Sequence, residues 1–247
     1  MKIIMPMAGR GTRLAGARGD LPKPLVPLAD RPMLAWAMDS LRTVDCDTFI
    51  AVVLSEHERH FGISDIVREH WSDSPVEIVA VDSVPPGQLC SVLAAERLFQ
   101  DDDILIAACD TVVVSSIGHD IESARAEGIC GLISVAGLPG EHWSFARADQ
   151  SGQVLEVAEK RRISEWASTG LYWFSDGTQF SRESKRLIRT GPTTNGEHYV
   201  IPVYGEYLKA GRPVRISQAE EVFDMGEPKA LEAAEVMYAN SHASQQN

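Results

Sequence analysis

Short runs of apolar residues alternate with amphipathic stretches along the first half of the chain. The apolar runs are typical of strands that are buried on both faces, and the stretches between them are typical of helices that cover a sheet. The predicted strands are residues 3–6, 48–54, 76–81 and 104–109. The predicted helices are residues 33–43, 56–71, 87–99 and 116–127. This order predicts an α/β fold with a mostly parallel sheet and helices on both of its faces.

The pattern changes after residue 129, where strands follow one another more closely. The predicted strands are 129–135, 144–148, 153–157 and 167–174, and a tight turn at 149–152 joins the middle two. The predicted helices are 178–190, 197–210 and 227–238. We therefore expect one domain over residues 1–240 whose second half, from residue 136, forms a smaller β-rich lobe. Residues 241–247 are polar and are expected to be a frayed tail.

Charge and composition narrow the class of function. Lys and Arg number 23 and Asp and Glu 35, which gives a net charge of −12. Such a chain has no electrostatic reason to coat nucleic acid or an anionic membrane, so a polyanionic ligand requires local basic groups and a metal. The first apolar run is too short for a signal peptide, and no stretch has membrane-spanning length. We expect a cytoplasmic protein with free cysteine thiols, since no Cys-x-x-Cys pair occurs.

Two glycines follow the first predicted strand, in Met7-Ala8-Gly9-Arg10-Gly11-Thr12-Arg13-Leu14. Glycines let the backbone approach phosphates, and Arg13 and Lys23 add the positive charge that a triphosphate requires. A dinucleotide-binding fingerprint would have glycine in place of Leu14, and a P-loop would contain Gly-Lys-Ser/Thr, which is absent. The glycines alone leave two interpretations open, a phosphate-binding loop and an ordinary strand–helix turn.

The segment Leu21-Pro22-Lys23-Pro24-Leu25 separates these interpretations. Together with Gly9-x-Gly11-Thr12-Arg13 it resembles the opening of the sugar-phosphate nucleotidylyltransferases, which are the NDP-sugar pyrophosphorylases. Other motifs match in order along nearly the whole chain. They are Gly87-Gln88, Ala108-Cys109-Asp110, Val157-Ala158-Glu159-Lys160, Ser168-Thr169-Gly170-Leu171-Tyr172-Trp173-Phe174, Asn195-Gly196-Glu197-His198-Tyr199 and Phe223-Asp224-Met225-Gly226-Glu227-Pro228.

The resemblance implies a Rossmann-like sheet of the GT-A type, with a nucleotide-binding half (1–135) and an acceptor-binding half (136–240). It implies partners that are a nucleoside triphosphate and a small phosphorylated acceptor, with neither nucleic acid nor membrane, and it is compatible with a homo-oligomer. The residues that it assigns to the nucleotide are Ala8, Gly9, Gly11, Thr12, Arg13, Lys23, Gly87 and Gln88. The residues that it assigns to catalysis are Arg13, Lys23 and Asp110.

The resemblance also implies a Mg²⁺ ion held by Asp110 and Asp224. Nucleotidyl transfer is mostly positioning and charge neutralisation, and Mg²⁺ prefers one or two carboxylates together with phosphate oxygens and waters. The plainer interpretations are a cap or turn aspartate for Asp110 and a turn former before Gly226 for Asp224.

The acceptor residues implied by the resemblance are Trp143, Glu159, Lys160, Gly170, Tyr172 and Glu197. The family has proline after the lysine of this set, where Arg161 and then Arg162 stand, so a solvated charge run is the alternative for residues 159–162. An aromatic strand such as 171–174 is equally typical of a core. Glu197 also suits the first turn of a helix.

Within the family, the chain most resembles the short branch that serves capsule and surface polysaccharides. The residues that indicate this branch are Met5-Pro6-Met7-Ala8-Gly9, His142-Trp143-Ser144-Phe145-Ala146 and Glu197-His198-Tyr199-Val200-Ile201-Pro202-Val203-Tyr204. That branch includes CTP-dependent cytidylyltransferases of small non-sugar phosphates or phosphonates, such as phosphorylated amines or amino acids. Such an enzyme is the alternative to one with a sugar-phosphate acceptor. We expect no appended β-helical acyltransferase domain.

Two further classes of function share the expected nucleotide-binding core. A glycosyltransferase would usually have Asp-x-Asp in place of Asp110-Thr111-Val112 and would release a nucleoside diphosphate instead of pyrophosphate. A non-catalytic nucleotide-binding regulator would bind nucleotide without turnover, but the joint presence of Arg13, Lys23, Asp110, Lys160 and Asp224 argues against it.

Overall fold

The computed structural model describes residues 1–9, 11 and 21–226, and these residues form thirteen strands and seven α-helices. The strands are β1 (Lys2–Pro6), β2 (Pro27–Leu28), β3 (Arg31–Pro32), β4 (Thr48–Leu54), β5 (Val76–Val81), β6 (Ile104–Ala107), β7 (Thr111–Val114), β8 (Gly131–Ala136), β9 (Ser144–Ala148), β10 (Val154–Glu159), β11 (Ala167–Phe174), β12 (Val214–Gln218) and β13 (Glu221–Asp224). The helices are α1 (Met33–Asp39), α2 (Ser55–Phe61), α3 (Ile63–His70), α4 (Gln88–Ala94), α5 (Ile117–Ala126), α6 (Gly177–Thr190) and α7 (Ile201–Lys209).

Nine of these strands form one mixed sheet, in which β10-β9-β11-β6-β1-β4-β5 is the main path and β8 links β11 to β12. In the first half of the chain, β1 pairs in parallel with β4 and β6, and β4 pairs in parallel with β5. The second half joins this sheet where β11 runs antiparallel to β6. The predicted fold class, a mostly parallel Rossmann-like sheet flanked by helices, is confirmed.

The central strands are apolar throughout because both faces of the sheet are covered. Alternate side chains of a strand point to opposite faces. In β1, Ile3 and Met5 belong to one hydrophobic core while Ile4 belongs to the other. In β4, Phe49 is part of the first core and Ile50 part of the second, and all five side chains are fully buried. Because these strands are parallel, their carboxyl ends lie at one edge of the sheet. Ligand-binding loops of α/β folds lie at this edge.

Four predicted helices have clearly different bounds in the structure. The expected helix over 33–43 ends at Asp39, and the expected helix over 87–99 ends at Ala94 and is followed by a 3-10 turn at Glu96–Leu98. The expected helix over 56–71 is two helices, because Gly62 adopts a left-handed conformation with φ 58° and ends α2. The expected helix over 197–210 begins only at Ile201. Thr194 and Glu197 instead form a two-way backbone bridge, and Asn195 and Gly196 between them have φ 54° and 79°. Helix α7 begins after this turn, so Glu197 does not lie in a first helical turn.

Three strand pairings were absent from the sequence prediction, and one of them positions the site. Strand β13 runs antiparallel to β7, and its register places Asp224 opposite Thr111. The other unpredicted elements are the β2–β3 hairpin and β12, which pairs in parallel with β8. The predicted helix over 227–238 and the tail at 241–247 lie outside the described residues.

No helix formed by the described residues combines the length and the apolar character that crossing a bilayer requires. All four cysteines have free thiols, as expected, and each is partly exposed to solvent.

Candidate active site

Lys23 is held by the two prolines that bracket it. It begins a 3-10 turn, Lys23–Leu25, in which Pro24 and Leu25 are buried, so the turn is anchored in the core. The lysine ammonium contacts the carboxylate of Asp110, and 14% of the Lys23 side chain is exposed. A Cβ atom on Gly11 would lie 2.5 Å from Cβ of Lys23, and Gly11 has φ 61°. Gly11 therefore packs directly on this lysine, which a larger residue at position 11 would prevent.

Asp110 and Asp224 come together although they lie far apart in sequence. Asp110 occupies the turn between β6 and β7, and its backbone oxygen accepts a hydrogen bond of 2.8 Å from the N–H of Met225. Oδ2 of Asp110 and Oδ1 of Asp224 each lie 2.9 Å from the point that a Cβ on Gly226 would occupy, and Nζ of Lys23 lies 3.2 Å from it. One ammonium and two carboxylates thus converge around a residue that has no side chain.

This donor set fits a small divalent cation. Two carboxylates supply hard oxygen ligands, and Mg²⁺ usually takes its other ligands from phosphates and water. The described residues contain no group of three or more His, Cys, Asp or Glu side chains that would hold a metal by themselves. Oδ1 of Asp224 also accepts a hydrogen bond of 2.8 Å from the N–H of Gly226, so the turn-forming interpretation of Asp224 holds as well.

The thiol next to this site is not a candidate nucleophile. Burial, reinforced by the negative charge of Asp110, raises the pKa of the Cys109 thiol to about 12. The thiol is therefore protonated at neutral pH, and the thiolate is the reactive form.

The loop that leads into α4 packs against the backbone of a distant segment. Gly87 caps α4 with φ 106°, and a Cβ on it would lie 2.4 Å from the backbone nitrogen and oxygen of His198. The N–H of His198 donates to Pro86 at 3.0 Å, and the N–H of Leu89 donates to His198 at 3.0 Å. Glycine is required at position 87 because any side chain would separate these two segments. Gln88 is the first residue of α4, as predicted.

A second polar cluster lies around the end of β10. Glu159 is the last residue of that strand and accepts a hydrogen bond of 2.5 Å from the Ser144 hydroxyl. The hydroxyl of Tyr172 lies 3.4 Å from the same Ser144 oxygen. Burial raises the pKa of Glu159, and the Ser144 hydrogen bond and the charge of Lys160 oppose this rise. Burial and the charge of Glu159 raise the pKa of Tyr172 to about 12, so its hydroxyl is neutral.

Lys160 lies beside this cluster with a constrained backbone. Its φ is 50°, which is unusual for a residue other than glycine, and its N–H donates to the backbone oxygen of Trp143 at 2.9 Å. Its ammonium donates to the Tyr199 hydroxyl at 2.5 Å, and that hydroxyl donates to Glu197 at 2.6 Å. Four of the predicted acceptor residues thus belong to two hydrogen-bonded groups, Glu159 with Tyr172 around Ser144 and Lys160 with Glu197 around Tyr199. The two groups are close enough for the charges of Lys160 and Glu197 to affect the pKa of Glu159.

The remaining predicted acceptor residues have structural contacts. Trp143 donates its indole N–H to the backbone oxygen of Pro139 at 2.9 Å and packs on the His142 ring. Gly170 has φ 90°, and a Cβ on it would lie 2.8 Å from Cβ of Ala108, two residues before Asp110. The Ala108 N–H donates to the Gly170 oxygen at 3.1 Å. Gly170 therefore lets strand β11 pack closely against Ala108, at the end of the strand that leads to Asp110.

Arg161 and Arg162 have different environments, which a single charge-run interpretation does not capture. Arg161 is 66% exposed and pairs only with Glu156 among the described residues, at 3.2 Å. The guanidinium of Arg162 donates to backbone oxygens of Leu138, Gly140 and Ser164 at 2.6–3.2 Å. It also stacks on the Phe145 ring, 4.7 Å from its centroid. Arg162 therefore fixes the loop that carries Trp143.

Of the remaining predicted nucleotide residues, Ala8 and Gly9 follow the end of β1. Ala8 is buried, while Gly9 is exposed, and among the described residues only its chain neighbours have heavy atoms within 4 Å of the position of a Cβ on it. Thr12 and Arg13 lie outside the described residues. Sequence reasoning assigned no role to Ser144, Tyr199 or Gly226, although each belongs to a motif that carried the resemblance. Only their hydrogen bonds and packing in three dimensions distinguish them from their neighbours.

Residues 3–170 match the MobA-like NTP transferase domain, which covers more than half of the chain. The chain belongs to the MobA-like NTP transferase family. The match includes Lys23 and Asp110 and extends into β11. The prediction that the protein comes from a family of nucleotidyltransferases is confirmed at this level.

Two curated relatives of this chain have names that state an activity on glucose 1-phosphate. The chain is 27% identical over 220 residues to a glucose-1-phosphate thymidylyltransferase of Streptomyces griseus, which covers 87% of this chain and 59% of the relative. It is 22% identical over 243 residues to the UTP–glucose-1-phosphate uridylyltransferase AglF of Haloferax volcanii, which covers 95% of both chains. The chain therefore spans less than two thirds of the first relative and nearly all of the second.

A solved UDP-glucose pyrophosphorylase in complex with UDP-glucose has the same fold as this chain. The TM-score is 0.81 at 16% sequence identity, and the match covers 97% of this chain and 98% of the other. At this identity the likeness establishes the fold, which is the Rossmann-like, GT-A type that the sequence predicted.

Proposed function

We propose that this NTP transferase moves a nucleoside monophosphate from a nucleoside triphosphate to a sugar phosphate and releases pyrophosphate. An oxygen of the acceptor phosphate forms a bond to the α-phosphorus, and the bond from the α-phosphorus to the pyrophosphate oxygen breaks. The observation that carries the proposal is the convergence of Lys23, Asp110 and Asp224 around Gly226 at the edge of the sheet. The names of the curated relatives support a sugar phosphate as the acceptor.

Asp110 and Asp224 are the residues that would hold Mg²⁺. When bound there, the ion would neutralise charge on the phosphate oxygens during transfer. The chemistry of the donors supports this assignment, because two carboxylate oxygens lie within 2.9 Å of one point that no side chain occupies.

Lys23 would bind the phosphates of the nucleotide, and Arg13 would bind the β- and γ-phosphates. The Lys23 ammonium is held rigidly by its proline turn and directed at Asp110, so it can stabilise charge without first losing side-chain freedom. The backbone at Ala8, Gly9 and Gly11, together with Thr12, would surround the triphosphate. Gly87 and Gln88 would contact the base, which the close packing of this loop supports.

The acceptor would bind beside the part of the sheet that β9, β10 and β11 form. Lys160 would hold its phosphate, and Glu159 would accept hydrogen bonds from its hydroxyl groups, while Tyr172, Gly170, Trp143 and Glu197 would form the surrounding walls. Glu159 is partly buried and keeps one strong hydrogen bond with Ser144, which supports a placed acceptor group over a solvated one. We assign residues 1–135 mainly to the nucleotide and 136–240 mainly to the acceptor.

A pyrophosphate-release assay tests this function. Each of ATP, GTP, CTP, UTP and dTTP is combined with glucose 1-phosphate or with phosphocholine, with and without Mg²⁺. We expect Mg²⁺-dependent release with UTP or dTTP and glucose 1-phosphate, and none without an acceptor.

Other outcomes would contradict the proposal in recognisable ways. Release only with CTP and phosphocholine would show the cytidylyltransferase of the short surface-polysaccharide branch. Formation of a nucleoside diphosphate instead of pyrophosphate would show a glycosyltransferase. Nucleotide binding, seen as a thermal shift, without turnover on either acceptor would refute transfer to these acceptor classes.

A further inference from the structure

The segment 194–199 contains a turn that is closed by its own backbone hydrogen bonds. The N–H groups of Thr194 and Glu197 each donate to the oxygen of the other at 3.0 Å. Asn195 and Gly196, which lie between them, both have positive φ. This closed turn defines where the backbone of the following residues, His198 and Tyr199, begins.

The same segment is anchored from outside through His198. Its backbone N–H and oxygen both bond to the 86–89 loop, at 3.0 Å each. The close approach to Gly87 leaves no room for this backbone to shift toward the loop. Tyr199 therefore follows a residue whose backbone is held on both of its polar groups.

Tyr199 uses this fixed position to contact Lys160 in two ways. Its hydroxyl accepts from the lysine ammonium at 2.5 Å, and the ammonium lies 4.5 Å from the centroid of the tyrosine ring. The hydroxyl in turn donates to the Glu197 carboxylate at 2.6 Å. An ammonium on a flexible four-carbon chain has many accessible positions, and these contacts select one of them.

The backbone of Lys160 is also held in place, so the direction of its side chain depends on only a few contacts. Its left-handed φ of 50° and its hydrogen bond to the Trp143 oxygen orient the Cα–Cβ bond. The Tyr199 hydroxyl then determines where the other end of the side chain lies.

We propose that Tyr199 is a positioning residue that holds the ammonium of Lys160 where the acceptor phosphate binds. This inference rests on the proposed function for the role of Lys160, and it adds a residue that acts through the lysine. Tyr199 need not contact the reacting atoms. Its hydroxyl reduces the conformational freedom that Lys160 would otherwise lose when the acceptor binds.

The test compares Tyr199→Phe with Tyr207→Phe. The first variant removes the hydroxyl and keeps the ring over Lys160. The second removes a buried hydroxyl that has no hydrogen-bond partner among the described residues, so it controls for loss of a tyrosine oxygen. The rate at which acetic anhydride modifies the Lys160 amine is measured by mass spectrometry, and KM and kcat are measured for glucose 1-phosphate and for the nucleotide.

We expect Tyr199→Phe to raise the acetylation rate of Lys160 and the KM for the acceptor by about tenfold each, the size expected for a lost hydrogen bond to a charged group. The KM for the nucleotide and kcat should change less than about twofold, since nucleotide binding and transfer rest on other residues. Tyr207→Phe should match the wild type in all four measurements.

An unchanged acetylation rate of Lys160 in Tyr199→Phe would overturn the positioning role whatever the activity. Faster acetylation with an unchanged acceptor KM would overturn it also, because the position of Lys160 would then not matter for the acceptor. If the wild type releases no pyrophosphate with any acceptor, the proposed function fails, and the acetylation measurement alone decides whether Tyr199 holds Lys160.

Discussion

The ammonium group of Lys23 contacts the carboxylate of Asp110 although 87 residues separate them in sequence. The two groups come from the loop after β1 and the turn after β6, and these strands are neighbours in the sheet. Asp224 reaches the same place through the short β13 strand, which pairs with β7. Adjacent strand ends thus bring together one cation and two carboxylates, which is the arrangement on which the proposed chemistry depends.

Replacing Asp110 with asparagine should reduce turnover by about 100-fold or more. The amide keeps the shape of the side chain but removes the negative charge that would hold the metal. The Mg²⁺ dependence of the nucleotide-induced thermal shift should disappear at the same time. Circular dichroism should show a folded protein.

The matched control for this variant is Asp65→Asn, on the distant helix α3, where the carboxylate is 90% exposed. It should keep wild-type turnover and Mg²⁺ dependence. Full activity of Asp110→Asn would remove this residue from the metal site.

Replacing Gly87 with alanine should lower the Tm by about 5 °C and weaken nucleotide binding. The new Cβ would meet the His198 backbone at 2.4 Å, and the φ of 106° is unfavourable for any residue except glycine. A strain of about 2 kcal/mol is expected from such a conformation. Gly137→Ala is the control, since among the described residues only its chain neighbours have atoms within 4 Å of the position of its Cβ. Equal Tm values for both variants would show that the 86–89 loop can separate from His198 without cost.

Replacing Arg162 with alanine should lower the Tm by about 4 °C and raise the KM for the acceptor more than the KM for the nucleotide. The guanidinium holds backbone oxygens of the 138–140 loop, and their loss should release the neighbouring Trp143. Arg161→Ala removes the adjacent, exposed arginine and should shift the Tm by less than about 1 °C. An acceptor KM that rises equally in both variants would point to general electrostatic attraction instead of loop anchoring.

Replacing Glu159 with glutamine should stabilise the protein increasingly as the pH rises. Burial raises the pKa of Glu159 above its ordinary value of 4.5, so the folded state binds this proton more tightly than the unfolded state. Stability therefore falls as pH rises through the interval between the two pKa values, and below that interval the group has no effect. Glutamine has no such charge, and its amide oxygen still accepts from Ser144.

Thermal unfolding of both proteins from about pH 4 to about pH 7 measures this difference. The Tm of Glu159→Gln minus that of the wild type should increase with pH. Glu141→Gln, which changes an exposed glutamate on the nearby loop, should follow the wild type throughout. A difference that is constant with pH would mean that Glu159 is ionised equally in the folded and unfolded states.

Periodicity predicted most regular elements because their cause is local. The continuous apolar runs of β1 and β4 follow from burial on both faces, and the amphipathic stretches follow from helices that cover them. It failed where a pairing or a left-handed residue decides the structure. Gly62 divides an amphipathic stretch into two helices, and β13 is recognisable only beside β7.

The roles assigned from sequence motifs depend on the same distinction. The motif around Lys23 indicated a rigid, charged turn, and the prolines that make it rigid are visible in the sequence. Nothing in the sequence shows that Arg162 binds backbone oxygens while Arg161 is exposed, because both belong to one run of charges. The same holds for Tyr199, whose contact with Lys160 spans 39 residues.

The amino-acid sequence by itself determined the α/β class, the order along the chain of most of its strands and helices, and the candidate residues at the strand ends. These properties follow from residue volume, polarity and backbone preference, which act over a few neighbouring positions. Only the tertiary structure decided which candidates meet: Lys23 with Asp110 and Asp224, Gly87 with His198, and Lys160 with Tyr199. Strand pairing and close packing determine these contacts, and both depend on residues that are distant in sequence.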